Sequence, residues 1–571
     1  MITQPTLESN LSPDYSEEFS QMLNSLLSDS YSESSNTNYG KLDNTYIPAH
    51  DMSSELGSDL GVANMMNLNN SSKNIRSGLG INFEDENKFQ ELVNGGTLQN
   101  VNKLVDFVFA PNISQDQTNY TNIDKPKVEN QNEYDNYYFL KDSPMSHDTY
   151  NVPDNSYTND GKKKSSYTGA FDVNLVRNDF PILKQKVNGK DLIWLDNGAT
   201  TQKPNVVIDG ISEYYRTINS NIHRGAHTLA TLSTDAYENA RETIREFLGA
   251  KTTSEIILVR GTTEGINFLA NTYGKKFLQA GDEILISELE HHANIVPWQM
   301  IAKEKGAVIK KIPINDKGEI NLDEYANLLS SKTKLVAVGK VSNTLGTINP
   351  VKQMIDMAHA VGAKILIDGA QSVAHTLTNV VELDCDFFVF SGHKIYGPTG
   401  IGAVFGKAEL LSVMPAWQGG GNMIKDVTFE ESIYNPPPAK FEAGTPNIAD
   451  AIGLGYALRY VMGLGLPAIE QYELKLTKYA MNELSKIPGI KVVGTSDHKI
   501  SALSFVIKGV PNDAIGKALD NEGIEVRVGH HCALPSIRKF GLEQTVRASI
   551  AMYNTKEEID KFINVLKKLT S

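Results

Sequence analysis

Residues 364–392 read KILIDGAQSVAHTLTNVVELDCDFFVFSG, and the two ends of this stretch decide the fold class. Each end is a short run of Ile, Leu, Val or Phe that stops at a turn, and a helix-length segment separates them. Near-continuous apolar strands are buried on both faces, as in a parallel sheet covered by helices. Runs of the same kind recur at EIILVR (255–260), DEILIS (282–287) and KLVAVGKVS (334–342). The expectation is an α/β fold with a mostly parallel central sheet between helices. Further on, SALSFVIKG (501–509), IEVRVGHHC (524–532) and VRASIAMY (546–553) read as strands between helices, which predicts a smaller α+β unit at the C-terminal end.

Working outward, the character of the chain changes near Phe171. Upstream it is rich in Asn, Ser, Asp, Tyr and Gln, and all three tryptophans and both cysteines lie downstream. A polar segment with few clustered apolar residues cannot bury enough surface to offset the entropy of ordering its backbone. Residues 1–169 are therefore expected to be a disordered extension, 170–460 the large unit and 461–571 the small one. Apolar islands interrupt the extension at FSQMLNSLL (19–27), FQELV (89–93) and VNKLVDFVFA (101–110). The first has helical spacing but is too short to be a stable helix in water.

Over 571 residues, 68 acidic side chains against 54 Lys and Arg leave a formal charge of −14. That balance argues against non-specific binding to nucleic acid or an anionic membrane, whose phosphates are repelled. Two cysteines make no disulfide framework, no metal site is expected, and no run approaches the roughly 20 apolar residues that span a bilayer. A soluble, cytoplasmic protein is the expectation.

The chemistry concentrates in DCDFFVFSGHKIYGPTGIGAVFG (384–406). A buried strand ends in Ser391-Gly392-His393-Lys394, where small and turn-forming residues let something approach the backbone closely. A lysine beyond a strand is ordinarily a solvated surface residue. Upstream, AKILIDGAQS sets Asp368 at a strand end, a position that faces solvent or pairs with a buried cation. LVRGTTEGINFLA (258–270) reads as strand, turn and helix, whose first N–H groups and the Thr262 and Thr263 hydroxyls suit an anion, although threonine is also an ordinary N-cap. Cys532 in RVGHHCA follows two histidines, and nearby imidazoles favour the nucleophilic thiolate. Cys385 reads as a buried, inert thiol.

SGHK followed by YGPTGIG resembles the cofactor-lysine signature of class V aminotransferases, more narrowly the group II, SufS-like cysteine desulfurases. The resemblance covers about 171–571, with its motifs in the family's order. It implies a fold type I PLP-dependent enzyme in which Lys394 carries pyridoxal 5′-phosphate (PLP). It assigns Asp368 to the pyridinium nitrogen, Gln371 to the phenolic oxygen, His291 of EHHAN to stacking and proton relay, and Asn343 to the ring side. Thr262, Thr263, Ser391 and His393 become phosphate ligands, and Thr445 of FEAGTPN reaches the phosphate of a neighbouring subunit, which implies a homodimer. Arg547 clamps the substrate carboxylate, with Arg527, His223 and Arg224 as further active-site positions. Cys532 receives sulfur from L-cysteine and passes it to an acceptor protein. The extension resembles the cargo-loading segments of desulfurases packed in encapsulin shells. The competing readings are a selenocysteine lyase, a cysteine sulfinate desulfinase, an aminotransferase, or a non-catalytic scaffold or cargo protein.

Overall fold

The computed structural model describes residues 171–223 and 226–570. The expected disordered extension and its apolar islands lie outside the described residues, as does Arg224.

Seven strands form the central sheet: β1 (Ile256–Val259), β2 (Glu283–Ser287), β3 (Val308–Ile312), β4 (Thr333–Gly339), β5 (Lys364–Asp368), β6 (Phe387–Ser391) and β7 (Gly402–Gly406). Their order across the sheet is β1-β7-β6-β5-β4-β2-β3. β6, β5, β4, β2 and β3 run parallel to one another, and β7 is antiparallel to both β6 and β1. The mostly parallel sheet read from the sequence is thus present. β3 was missed because its residues, VIKKI, are mostly half-buried or exposed and include two lysines.

Side chains along a strand point alternately to the two faces, and this sheet sorts its residues accordingly. Leu258, Leu285, Val336, Ile365, Ile367, Phe388, Phe390 and Ala403 belong to one apolar cluster. Val259, Ile284, Ile286, Leu335, Leu366, Phe387, Val389 and Val404 belong to another. Two buried faces explain the near-continuous apolar runs. The 364–392 stretch holds one departure: its expected helix-length middle is turns and a four-residue helix, Val380–Leu383. Asn379 caps that helix by accepting from the N–H groups of Val381 and Glu382.

A second sheet has the order β8-β9-β11-β10, all antiparallel, from β8 (Ile490–Val493), β9 (Ala502–Ile507), β10 (Arg527–Gly529) and β11 (Thr545–Ser549). The expected strand over 524–532 is interrupted. Ile524–Glu525 pairs in parallel with Ile193–Trp194 near the start of the described chain, and only Arg527–Gly529 joins β11. Early and late segments therefore meet. The Arg177 guanidinium pairs with Glu558 at 2.8 Å.

Candidate active site

β1, β2, β4, β5 and β6 all end at the same edge of the sheet, because β7 reverses direction between β6 and β1. Ligands of open α/β sheets bind outside the carboxyl ends of the strands, and here those ends are followed by Thr262-Thr263, His291, Asn343, Gln371 and Lys394 in turn. From the second sheet come Arg527 on β10, Arg547 on β11 and Cys532 in the turn after β10. Of the residues singled out in the sequence, Thr262, Thr263, His291, Asn343, Asp368, Gln371, Ser391, His393, Lys394, Arg527, Cys532 and Arg547 line one cleft of about 230 Å³.

Lys394 lies on a single turn of 3-10 helix directly after β6. Among the described residues its ammonium group makes no hydrogen bond or ion pair. Burial, seconded by Arg547 and Arg527, pushes its pKa down to about 8 against the pull of Asp368, so a neutral, nucleophilic amine is accessible near neutral pH. Asp368 closes β5. One of its oxygens accepts the Ala370 N–H at 2.9 Å, it has no ion pair among the described residues, and burial raises its pKa. A buried carboxylate with no ion pair among the described residues suits a protonated ring nitrogen.

His291 is neutral. Burial first, then Lys394 and other cations, depresses its pKa to about 3. Its Nδ1 accepts the Ala293 N–H at 3.0 Å, which fixes the tautomer with the proton on Nε2. Around the expected phosphate cup, Ser391 Oγ accepts the Thr262 N–H at 2.8 Å and donates to the Thr262 hydroxyl at 2.9 Å. The Thr262 amide is thus already engaged.

The substrate end is built around Arg547, which is fully buried. It donates to the Asn343 carbonyl at 2.9 Å and pairs with Asp196 at 3.0 Å. Its Nε, the Asn343 Oδ1 and the His531 Nδ1 are buried without a hydrogen-bond partner in the described residues. Orphaned polar atoms beside a cleft suit the polar groups of a ligand.

Cys532 is exposed, and it and His531 both adopt left-handed backbone conformations, φ 56° and 52°. Two consecutive non-glycine residues in that region hold the thiol on a tight, strained turn. The turn is pinned: the Cys532 carbonyl accepts the His292 N–H at 2.7 Å, and the His531 carbonyl accepts from the Asn343 side chain at 2.6 Å. Cys385 is buried, and burial lifts its thiol to about 12.

Two expected positions lie elsewhere. The His223 ring bonds Glu238 at 2.8 Å, and Thr445 bonds the Asn221 side chain at 3.3 Å; neither lines this chain's cleft. The glycines after Lys394 also serve a different purpose. A Cβ on Gly402 would meet the Phe390 carbonyl oxygen at 2.4 Å and the Gly261 Cα at 2.8 Å, so the close approach there is strand to strand.

Sequence reading missed three residues. Asp196 and Gly198 belong to the LDNG turn after Trp194: Asp196 holds Arg547, and a Cβ on Gly198 would sit 3.0 Å from its guanidinium carbon. A carboxylate and a glycine after a strand were a signal, but only the fold sets them on Arg547. Glu290 also lines the cleft. It accepts the Gly339 N–H at 3.0 Å and an Asn294 N–H at 2.7 Å, and burial raises it to about 7.

Residues 193–562 match the family model described as aminotransferase class-V. The chain belongs to the class V aminotransferase family. It is 57% identical over 399 residues, 70% of its length, to a cysteine desulfurase of Synechococcus elongatus, and spans 64% of that relative. It is 46% identical over 400 residues to a cysteine desulfurase of Dickeya dadantii, spanning 97% of it. In three dimensions it is similar to an apo cysteine desulfurase from Thermococcus onnurineus, at 36% identity and a TM-score of 0.67, over 70% of this chain and 98% of the other.

Proposed function

We propose that this class V family member is a PLP-dependent cysteine desulfurase of the group II type, which converts L-cysteine to L-alanine and holds the sulfur as a persulfide on Cys532. The observation that carries the reading is one cleft lined by an unbonded lysine, a buried unpaired carboxylate and an exposed thiol. The residues fit PLP: Lys394 would hold it covalently, Asp368 would face its ring nitrogen, and Thr263, Ser391 and His393 its phosphate. Bound there, PLP supplies an electron sink for the carbon that loses its proton.

The chain's own residues account for the rest. Arg547, oriented by Asp196 and Asn343, binds the substrate carboxylate through its orphaned edge. Lys394, with its lowered pKa, is the base for the α-proton of the bound substrate. His291, whose Nδ1 accepts the Ala293 N–H, would face the ring and would relay a proton through Nε2. Cys532 thiolate attacks the substrate sulfur, the carbon–sulfur bond breaks towards carbon, and the persulfide stays on Cys532 until an acceptor protein takes it. The short turn bearing Cys532 supports the group II type, since group I enzymes carry this cysteine on a longer mobile loop.

Thr445 and His223, outside this chain's cleft, serve the neighbouring cleft of a homodimer. In that reading residues 1–169 dock on the inner wall of an encapsulin shell in the cytoplasm, and the sulfur supplies iron–sulfur cluster assembly or a sulfur store. Alanine and sulfide formed from cysteine, with and without a reductant, test the activity. Side-by-side assays with selenocysteine and cysteine sulfinate rank the substrates. A purified chain with no visible PLP band and no alanine from cysteine removes the reading.

A further inference from the structure

At the outer lip of the cleft three metal-ligating side chains converge that the proposed reaction does not use as a set. His292 follows the cleft-lining His291, and His530 and Cys532 flank the left-handed His531. One ligand atom of each lies within 4.8 Å of the other two; His530 and Cys532 are exposed and His292 partly so. The two imidazole rings stand 5.6 Å apart, inclined by 33°. We propose that His292, His530 and Cys532 form a labile binding site for a thiophilic cation of the Zn²⁺ class, and that its occupancy silences Cys532. The proposal rests on the reading of Cys532 as the sulfur acceptor.

The donor set decides the metal class. Two imidazoles and a thiolate with a fourth position open to water match zinc's tetrahedral preference, and the thiolate selects against hard cations such as Mg²⁺. On binding, the Cys532 thiol releases its proton to solvent and donates a sulfur lone pair to the metal, so that pair no longer attacks the substrate sulfur. No redox change is involved.

The same geometry makes the site reversible. His530 Nδ1 accepts the Cys532 N–H and His292 Nε2 accepts the Leu534 N–H, each at 3.1 Å. A neutral imidazole has one proton and one ring lone pair in its plane. If the accepting nitrogen binds the metal, its lone pair leaves the amide. If the other nitrogen binds, the ring proton moves to the accepting one. Either way both backbone bonds are lost. No carboxylate completes the set among the described residues, so binding is weaker than at a closed structural site.

The test uses the PLP-loaded full chain, ZnCl₂ as the probe, a phosphine reductant and no free cysteine. Iodoacetamide alkylation reads Cys532 because Cys385 is buried, and Cys532→Ser supplies the background. Zn²⁺ is expected to slow alkylation by about tenfold or more, by removing the free thiolate, and EDTA to restore it. His292→Gln and His530→Gln should each lose the protection, and Co²⁺ should give a sulfur-to-metal charge-transfer band absent from Cys532→Ser. Alkylation indifferent to Zn²⁺, or protection undiminished in both Gln variants, overturns the site. Alanine formation measured in EDTA separates the two readings: full activity in Cys532→Ala sinks the sulfur-acceptor role, whereas Cys532-dependent activity without zinc protection sinks only the metal site.

Discussion

Single residues set the chemistry. Lys394→Ala should abolish the visible absorbance of bound PLP and lower alanine formation by more than about a hundredfold, since it removes both the attachment point and the base. Asp196→Asn should keep the absorbance but raise the KM for cysteine about tenfold with a smaller change in kcat, because a charge-assisted bond that orients Arg547 becomes a neutral one. Steady-state kinetics read both. Lys394 also gives a pH signature. Its pKa falls from 10.5 to about 8 on folding, so between those values the unfolded chain binds more protons than the folded one. Stability therefore rises with pH across that window. Thermal melts of the PLP-free protein at pH 8 and pH 10 should show a larger gain for wild type than for Lys394→Met; an equal gain would mean that Lys394 is not desolvated.

Among the elements, the join of β6, β7 and the start of the Thr262 helix is tightly packed. Gly402→Ala places a methyl carbon against backbone atoms at 2.4 and 2.8 Å, which cannot yield as a flexible side chain does. A loss of about 1–3 kcal/mol is expected in denaturant unfolding, with weaker PLP retention because Ser391 and Thr262 sit on the displaced elements. The sequence marked these glycines as places of close approach but not what approached. Likewise, IEVRVGHHC has the composition of one strand, yet its first residues pair with Ile193–Trp194, some 330 positions away by their numbering. No local pattern encodes such a partner, nor the half-buried β3.

Across the whole molecule, burial of charge joins distant segments. Arg241 on the helix Thr228–Leu248 is 1% exposed and makes two bonds to Glu442, at 2.6 and 2.8 Å, while Glu442 also accepts the Leu258 N–H. Glu442→Ala leaves the buried guanidinium only the part-exposed Glu238, 2.9 Å from its Nε, as a carboxylate partner, so a cost of about 3 kcal/mol is expected in unfolding experiments. Deleting residues 1–165 tests the extension: desulfurase activity should persist and co-assembly with a shell protein should disappear. Unchanged co-assembly would refute the cargo role.

The sequence by itself determined the α/β class and the two-faced strands, because strand burial leaves its mark in composition, while the resemblance of its motifs to a family singled out Lys394, Asp368 and Cys532 as candidates. Only the tertiary structure decided that Asp196 holds Arg547, that His292 stands beside His530 and Cys532, and that His223 and Thr445 lie outside the cleft. Those relations join residues far apart in the chain, and their distances are fixed by how the two sheets pack rather than by any local preference.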